Sequence, residues 1–289
     1  MSQEPPLRSR APGTAAALRR HPISVCITAG NEERMIRDCL RSVQWCDEII
    51  LVDSESADRT RAIAREYTDR IYIEPWRGYI RSKQFAEKHA THDWVLFLDA
   101  DERVSDALRR EIETELSAEE VPWRGFEFPR VVYYIDRWIR HGDWYPDFKL
   151  RLYRRQYGRI AGQEPHDRIR VRGPVKRLRG ELHHHTYANL RAQLERCNHF
   201  SSISARDMFE AGRKFHFLDL MIRPVHRFIR CYFLKGGFLD GMHGLFIAGI
   251  VAQTTFVKYA KLWELYRVEG PERHTETLAK APPPPPRRT

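Results

Sequence analysis

Two apolar runs, Ile49-Ile50-Leu51-Val52 and Val95-Leu96-Phe97-Leu98, constrain this chain more than any other feature of its sequence. Neither alternates with polar residues, so a strand built from either must be covered on both faces. Such strands belong to sheets whose neighbours are joined through helices, and the surrounding sequence supplies them. Ile23 to Thr28 reads as a first strand, and Asn31 stands at an N-cap position before the apolar stripe Met35, Ile36, Leu40 and Val43. Glu48 to Asp53 is a second strand, Ala57 to Tyr67 a short helix, Arg70 to Glu74 a third strand and Ile80 to His89 a helix. Trp94 to Asp99 is a fourth strand, and Ser105 caps a helix running to Leu116. The expected fold class is α/β: a Rossmann-like, mostly parallel, doubly wound sheet. Ligands of such sheets bind beyond the carboxyl ends of the strands. Here those ends carry Thr28, Asp53 and Asp99.

From residue 125 to about 185 the pattern turns to strands and loops, with candidates at 125–135, 149–153 and 175–182. Aromatic residues crowd this part. After His185 the chain reads as helical to about Tyr266. The expected organisation is a disordered basic arm at 1–21, a catalytic domain at 22–186, a helical extension at 187–267 and a disordered Pro-rich tail at 268–289. The arm lacks the apolar core of a secretory signal. The five cysteines are scattered and form no CxxC pair, and Cys26 and Cys39 fall at apolar periodic positions. They read as reduced core residues. A formal net charge of +10 favours anionic partners: a nucleotide, a nucleic acid or an anionic membrane surface.

The sharpest chemical feature is Asp99-Ala100-Asp101-Glu102, directly after an apolar strand. Alternate residues leave a strand on the same side, so Asp99 and Asp101 can reach one hard cation. Mg²⁺ and Mn²⁺ take oxygen ligands and bridge to phosphates. The competing reading is a polar strand end that caps the next helix. A second feature is Val52-Asp53-Ser54-Glu55-Ser56-Ala57-Asp58-Arg59-Thr60. A carboxylate at a strand end can accept bonds from a base edge or from ribose hydroxyls, while Ser56 or Asp58 suits a helix cap. His183-His184-His185 is a third feature. Three consecutive imidazoles on a strand alternate between faces and cannot all bind one ion.

Taken in order, Ile23 to Glu33, Glu48 to Thr60 and Trp94 to Glu102 resemble the family 2 glycosyltransferases of the GT-A fold. Gly78 to Phe85, His166-Asp167, His185-Thr186-Tyr187 and Lys235 to Gly244 are similar to a bacterial subgroup that builds lipopolysaccharide core, including enzymes that add glucose to inner-core heptose. The resemblance covers about residues 22 to 265. It implies a GT-A domain with a C-terminal helical extension, an inverting transfer and a divalent metal, Mg²⁺ or Mn²⁺. It implies that Thr28, Glu32, Asp53, Lys83, Asp99 and Ala100 line the nucleotide-sugar site. Asp101, Asp99 and His185 are the implied metal or diphosphate ligands. An inverting transfer needs a carboxylate to take the acceptor's proton. Asp167 is the first candidate and Asp147, within Trp144-Tyr145-Pro146-Asp147, the second.

Residues 213–235 hold six Lys or Arg and one Asp among many aromatic and aliphatic residues, a mixture suited to a membrane interface. Gly241 to Val257 carries no formal charge and falls just short of a spanning helix, which makes it a buried or in-plane helix. The implied partners are a nucleotide-sugar donor, UDP-linked, and a lipid-linked or lipopolysaccharide-core acceptor. Peripheral contact with anionic membrane at the cytoplasmic face is also implied, and no nucleic acid. Two rival readings stand beside this one. A nucleotidyltransferase shares a metal-nucleotide site but wants a Gly-rich triphosphate loop where Ala29-Gly30-Asn31-Glu32-Glu33 stands. A non-enzymatic basic membrane- or nucleic-acid-binding protein explains the charge but not three aspartates at one sheet edge.

Overall fold

A computed structural model of the chain describes residues 21–163, 166–187 and 189–270, apart from the side chains of residues 163, 166 and 167. The basic arm and the Pro-rich tail therefore lie almost wholly outside the described residues. The first part runs β1 (Ile23–Ala29), α1 (Ile36–Ser42), β2 (Glu48–Asp53), α2 (Thr60–Ala64), β3 (Ile71–Ile73), α3 (Tyr79–Lys88), β4 (Trp94–Asp99), β5 (Glu102–Val104) and α4 (Asp106–Glu115). It continues with β6 (Gly125–Tyr134), β7 (Arg137–Ile139), β8 (Asp147–Arg154), β9 (Gly158–Gln163), β10 (His166–Val171), β11 (Val175–Arg177) and β12 (Leu182–Tyr187). Three long helices follow: α5 (Leu190–Glu210), α6 (Phe217–Ile229) and α7 (Gly241–Val268). By contacts the chain divides into two compact units, residues 21–130 with 147–185, and residues 131–146 with 186–270.

In the first unit β3, β2, β1 and β4 pair in parallel, in that order. The continuous apolar runs do what their composition requires. Val25, Ile27, Leu51, Leu96 and Leu98 join one buried cluster with Ile36 and Leu40 of α1 and Leu108 and Ile112 of α4. Cys26, Ile50, Val52, Val95 and Phe97 join another, with Ala86 of α3 and Tyr153 of β8. Successive residues therefore serve opposite faces, both covered. Beyond β4 the sheet continues as β8, β6, β12 and β5, with antiparallel pairing at β4–β8, β8–β6 and β12–β5. The sheet is thus parallel where helices separate the strands and mixed beyond that point. β9 and β10 form a separate antiparallel pair.

Ser105 caps α4, accepting from the Leu108 amide at 3.2 Å. The expected strand at 175–182 is two strands, parted at Gly180, where a Cβ would lie 2.3 Å from the Leu108 Cα. The helix expected from Asn31 begins only at Ile36, because Asn31 adopts a left-handed φ of 57°. The helix expected at 57–67 shortens to α2. Both shortenings have one cause, described below. None of the five cysteines is in a disulfide, and Cys26, Cys39 and Cys231 are buried.

The second unit collects residues 131–146 with the C-terminal helices, although the sequence reading left them on the catalytic side. The segment Lys235 to Gly244 holds it together. The buried Asp240 carboxylate accepts from the amides of Arg140 (3.1 Å) and His141 (2.9 Å) and meets the His141 imidazole at 3.1 Å. Gly237 and Gly244 touch backbone to backbone: a Cβ on Gly244 would lie 1.8 Å from the Gly237 carbonyl oxygen. That neighbour is main chain and cannot rotate away. Gly244→Ala is therefore expected to destabilise this unit by about 1–3 kcal/mol or more. A fall in thermal midpoint, with UDP affinity of the first unit retained, checks it.

α7 is longer than the sequence reading allowed. It continues unbroken to Val268, so 28 residues give about 42 Å at 1.5 Å per residue. By length and composition Gly237–Val268 is long and apolar enough to cross a membrane. Its buried side chains include Ile247, Tyr259 and Leu262. α7 packs on both α5 and α6.

Candidate active site

The parallel register sets the site. Thr28 pairs with both Val52 and Asp99, and Ala29 pairs with Asp53. Thr28, Asp53 and Asp99 therefore meet at one edge, as the sequence reading expected. Ala100 is buried in the turn that follows β4, and Glu32 is half-buried in the turn after β1.

The loop after β2 braces the loop after β1. Three consecutive amides, those of Asn31, Glu32 and Glu33, donate to Ser56 Oγ (2.8 Å), Thr60 Oγ1 (2.8 Å) and Asp58 Oδ2 (3.0 Å). In return Asn31 Oδ1 accepts from the Ala57 amide at 2.9 Å. Of the two residues expected to cap α2, Ser56 or Asp58, the Ser56 hydroxyl crosses to the other loop, and Arg59 takes the N-cap position. Asp58 also accepts from the Thr60 amide at 2.9 Å. Asn31 and the alternating Ser56, Asp58 and Thr60 give the two loops one fixed shape.

Asp53 is fully buried. Its Oδ2 accepts from the Ser56 amide at 2.9 Å and lies 3.6 Å from Arg61 Nε. Its Oδ1 is buried with no hydrogen-bond partner among the described residues. A buried acceptor left open is costly, which fits a position that a ligand N–H or O–H completes.

Asp99 is held by two cations. Lys83 Nζ, from a side chain buried on α3, lies 3.1 Å from Oδ1, and Arg151 Nη2 of β8 donates to Oδ2 at 2.7 Å. Burial opposes ionisation, but Arg151 and Lys83 outweigh it and hold the carboxyl well below the usual range. The chain of charge continues inward. Glu102 is fully buried; its Oε1 receives Arg151 Nη2 at 2.8 Å and Arg130 Nη1 at 3.3 Å, and its Oε2 accepts from the Asp99 amide at 3.1 Å. Arg130 also donates to Asp147 Oδ2 through Nη2 at 2.7 Å, and Lys149 Nζ reaches Asp147 Oδ1 at 3.0 Å. Four cations thus alternate with three carboxylates.

Asp147 is part of this chain. Burial pushes its carboxyl up, but Arg130 and then Lys149 prevail and lower it. A carboxylate so neutralised is a poor proton acceptor at neutral pH. Asp167 pairs with Gly162 across the β9–β10 hairpin, but its side chain and that of His166 lie outside the described residues.

Asp101 meets His184 through its imidazole and His185, the residue singled out in the sequence, through its backbone. His184 Nε2 lies 3.2 Å from Asp101 Oδ2, whereas His185 donates its backbone amide to the Asp101 carbonyl at 2.9 Å. Alternation along β12 decides this: His184 pairs with Glu102, and its neighbours turn to the opposite face. Burial, Arg103 and the adjacent histidines lower His185 to about 4, so its imidazole is neutral at physiological pH.

Among the described residues no three His, Cys, Asp or Glu side chains converge into a metal cage. Asp99 is already paired with two cations. What remains is the Asp101 carboxylate, in contact with the His184 imidazole and within electrostatic reach of His185. Mg²⁺-type ions are held by one or two carboxylates and complete their shell with phosphates and water. The donor set therefore fits an ion that arrives with a diphosphate.

The sequence pattern of glycosyl transferase family 2 matches residues 24–179. The lipopolysaccharide core biosynthesis glycosyltransferase LpsC of Rhizobium meliloti is 33% identical over 260 residues, covering 86% of this chain and 94% of its own. The uncharacterized glycosyltransferase RT0209 of Rickettsia typhi is 29% identical over 265 residues, covering 84% and 87%. The chain belongs to glycosyl transferase family 2. Membership sets aside both rivals, the nucleotidyltransferase and the non-enzymatic binding protein.

Within this family 2 glycosyltransferase, sequence reasoning missed Arg130, Lys149, Arg151, Glu102 and His184. No two-residue period signals Lys149 and Arg151 on β8, because the β6–β8 register shifts at Arg151 and Leu150 and Leu152 pack in opposite clusters.

Proposed function

We propose that the chain transfers a hexose such as glucose from a UDP-linked donor to a lipid-linked saccharide such as lipopolysaccharide core, with inversion and with a divalent metal. The observation that carries the donor half is the buried, open Asp53 Oδ1 on the same sheet edge as Asp99, Lys83 and Arg151. Asp53 accepts from the base or ribose, Thr28, Glu32 and Ala100 line that pocket, and the Lys83–Asp99–Arg151 group faces the diphosphate. Asp101 holds the ion together with a histidine of the His184–His185 pair. A bound Mg²⁺ or Mn²⁺ neutralises charge on the departing diphosphate. Asp167 takes the proton of the acceptor hydroxyl, whose oxygen bonds to the anomeric carbon as the bond to the diphosphate oxygen breaks. The likeness to LpsC along nearly its whole length supports the acceptor class.

Work at the inner face of the cytoplasmic membrane is part of the proposal, and α6 supports it. Phe217, Leu218, Met221, Ile222, Val225 and Ile229 are all exposed. At 3.6 residues per turn they cover about 140° of the helix on one side. The exposed apolar surface continues through Leu234, Leu239 and Met242. A patch of this extent marks a contact, and an in-plane helix meets the acyl boundary with such a face.

Calorimetric titration of UDP with and without Mn²⁺ tests the donor site. Wild type is expected to bind UDP at least about tenfold more tightly with the ion, and Asp101→Asn to lose that gain. UDP binding that ignores metal in both proteins would remove the metal from the reading. Binding of another nucleotide in place of UDP would replace the donor.

A further inference from the structure

The second unit contains a cavity of about 460 Å³, within the range of small-ligand sites. One side is basic: Arg223, His226 and Arg227 of α6 and Lys258 of α7. Another is aromatic, where the rings of Trp144 and Tyr187 stack with centroids 5.4 Å apart. Ser201, Ser204, Thr254 and Thr255 add hydroxyls. Stacked rings and hydroxyls suit a sugar, and the basic wall suits an anion on it.

The basic wall is not neutralised from within. Three cations gather around one ring: Lys258 Nζ lies 5.0 Å from the Tyr259 centroid, and the guanidinium carbons of Arg213 and Arg223 lie 5.7 Å from it. Asp219 is their shared carboxylate, 2.6 Å from Arg223 and 3.5 Å from Arg213. Arg227 is 3.2 Å from Asp143, but Arg230 and Lys235 hold that same carboxylate at 3.1 and 3.2 Å. Six cations thus share two carboxylates. Lys258 has no ion-pair or hydrogen-bond partner among the described residues. Burial, with Arg213, Arg227 and Arg223 around it, lowers its ammonium pKa. Gathering like charges around the half-buried Lys258 is unfavourable unless an anion completes the group.

α6 ties the cavity to the surface. Its exposed apolar face lies on the side of the helix away from Arg223, His226 and Arg227, by the 100° step between residues. An ordinary amphipathic helix buries its apolar face and leaves its basic face in water. This one borders a cavity with Arg223, His226 and Arg227 while its apolar face also stands exposed.

We propose that this cavity binds a phosphate group carried on a sugar or a lipid headgroup, with Lys258, Arg223 and Arg227 on the phosphate and Trp144 and Tyr187 against the sugar. It rests on the reading that the acceptor is an anionic, lipid-linked saccharide, and it supplies that acceptor's anchoring point. No donor residue takes part.

The test uses the full chain, with phosphatidylcholine vesicles containing phosphatidic acid, whose headgroup is a phosphate monoester, and separately glucose 6-phosphate in solution. Lys258→Met is compared with Lys214→Met, which removes the same charge from an exposed position of the same unit. Loss of one basic residue at a charged surface lowers vesicle binding about fivefold whatever its place. Loss of a charge-assisted bond to phosphate is expected to lower it about 20-fold or more, for Lys258→Met alone, with Lys258→Arg retaining most of the binding. That outcome supports the site with the membrane lipid as its source. If vesicle binding is unchanged but Lys258→Met abolishes binding of glucose 6-phosphate, the site stands with a soluble source. Equal effects of Lys258→Met and Lys214→Met on vesicles, with no effect on glucose 6-phosphate, overturn it. UDP titration of each variant keeps the two readings apart, because the donor site contains neither lysine.

Discussion

Asp167→Asn is expected to lower kcat by about 10²–10⁴-fold while leaving UDP affinity within about twofold of wild type. The grounds are the partners of the described carboxylates around Asp99. Asp99 is paired with Lys83 and Arg151, Glu102 with Arg151 and Arg130, and Asp147 with Arg130 and Lys149. Asp53 is fully buried, and Asp101 is next to His184. A base must hold a free electron pair near neutral pH, and a carboxylate clamped by two cations holds its pair poorly. Single-turnover transfer from UDP-glucose to a heptose-bearing acceptor is the measurement. The matched control is Asp147→Asn, for which a smaller fall is expected. A thousandfold loss in Asp147→Asn beside a mild one in Asp167→Asn would exchange the two roles. Unchanged UDP affinity in both keeps that result separate from any failure of the donor site.

The largest expected effect on stability belongs to Glu102→Ala. Glu102 is fully buried and receives two arginines, of which Arg151 is itself buried. Removing one member of a buried ionic group leaves the others desolvated and costs about 3–5 kcal/mol. The Asp99 amide also loses its acceptor, Glu102 Oε2. Urea unfolding of the wild type and the variant, followed by a probe in the first unit, measures this through the shift in midpoint at constant slope. A loss below about 1 kcal/mol would mean that water reaches Arg151 and Arg130 once the carboxylate is gone, and that the network is less dry than its burial implies. The consequence for function follows from the same contacts. Without Glu102, Arg151 loses one of its two carboxylates in this group, so the donor site should lose definition as well as stability.

Much of the catalytic unit was legible in the sequence, because the signals involved are local. Apolar runs of four residues fixed which strands must be covered on both faces, and the polar residue ending each run fixed which edge would be chemical. Asp99-Ala100-Asp101-Glu102 and the loops at 28–33 and 53–60 also carry the family likeness. Even there, of Ser56 and Asp58, the two residues read as a helix cap, only Asp58 accepts from a helix amide, that of Thr60. A hydroxyl that can accept from its own helix can equally accept from a loop brought beside it by strand pairing.

What the sequence by itself determined is therefore the parallel sheet, the aspartates at its edge and membership of the family. The tertiary structure alone decided that the His184 imidazole contacts the Asp101 carboxylate while His185 donates its backbone amide to the Asp101 carbonyl, because strand register sets the face of each residue. It decided that β8 delivers Arg151 to Asp99 from 52 residues away, and that residues 131–146 belong with the C-terminal helices. It also decided that Arg223 of α6 meets the Tyr259 ring of α7 at the border of a cavity. The physical reason is the same in each case. Period and propensity act over a few residues, while ion pairs, cavities and exposed faces depend on which distant elements pack together.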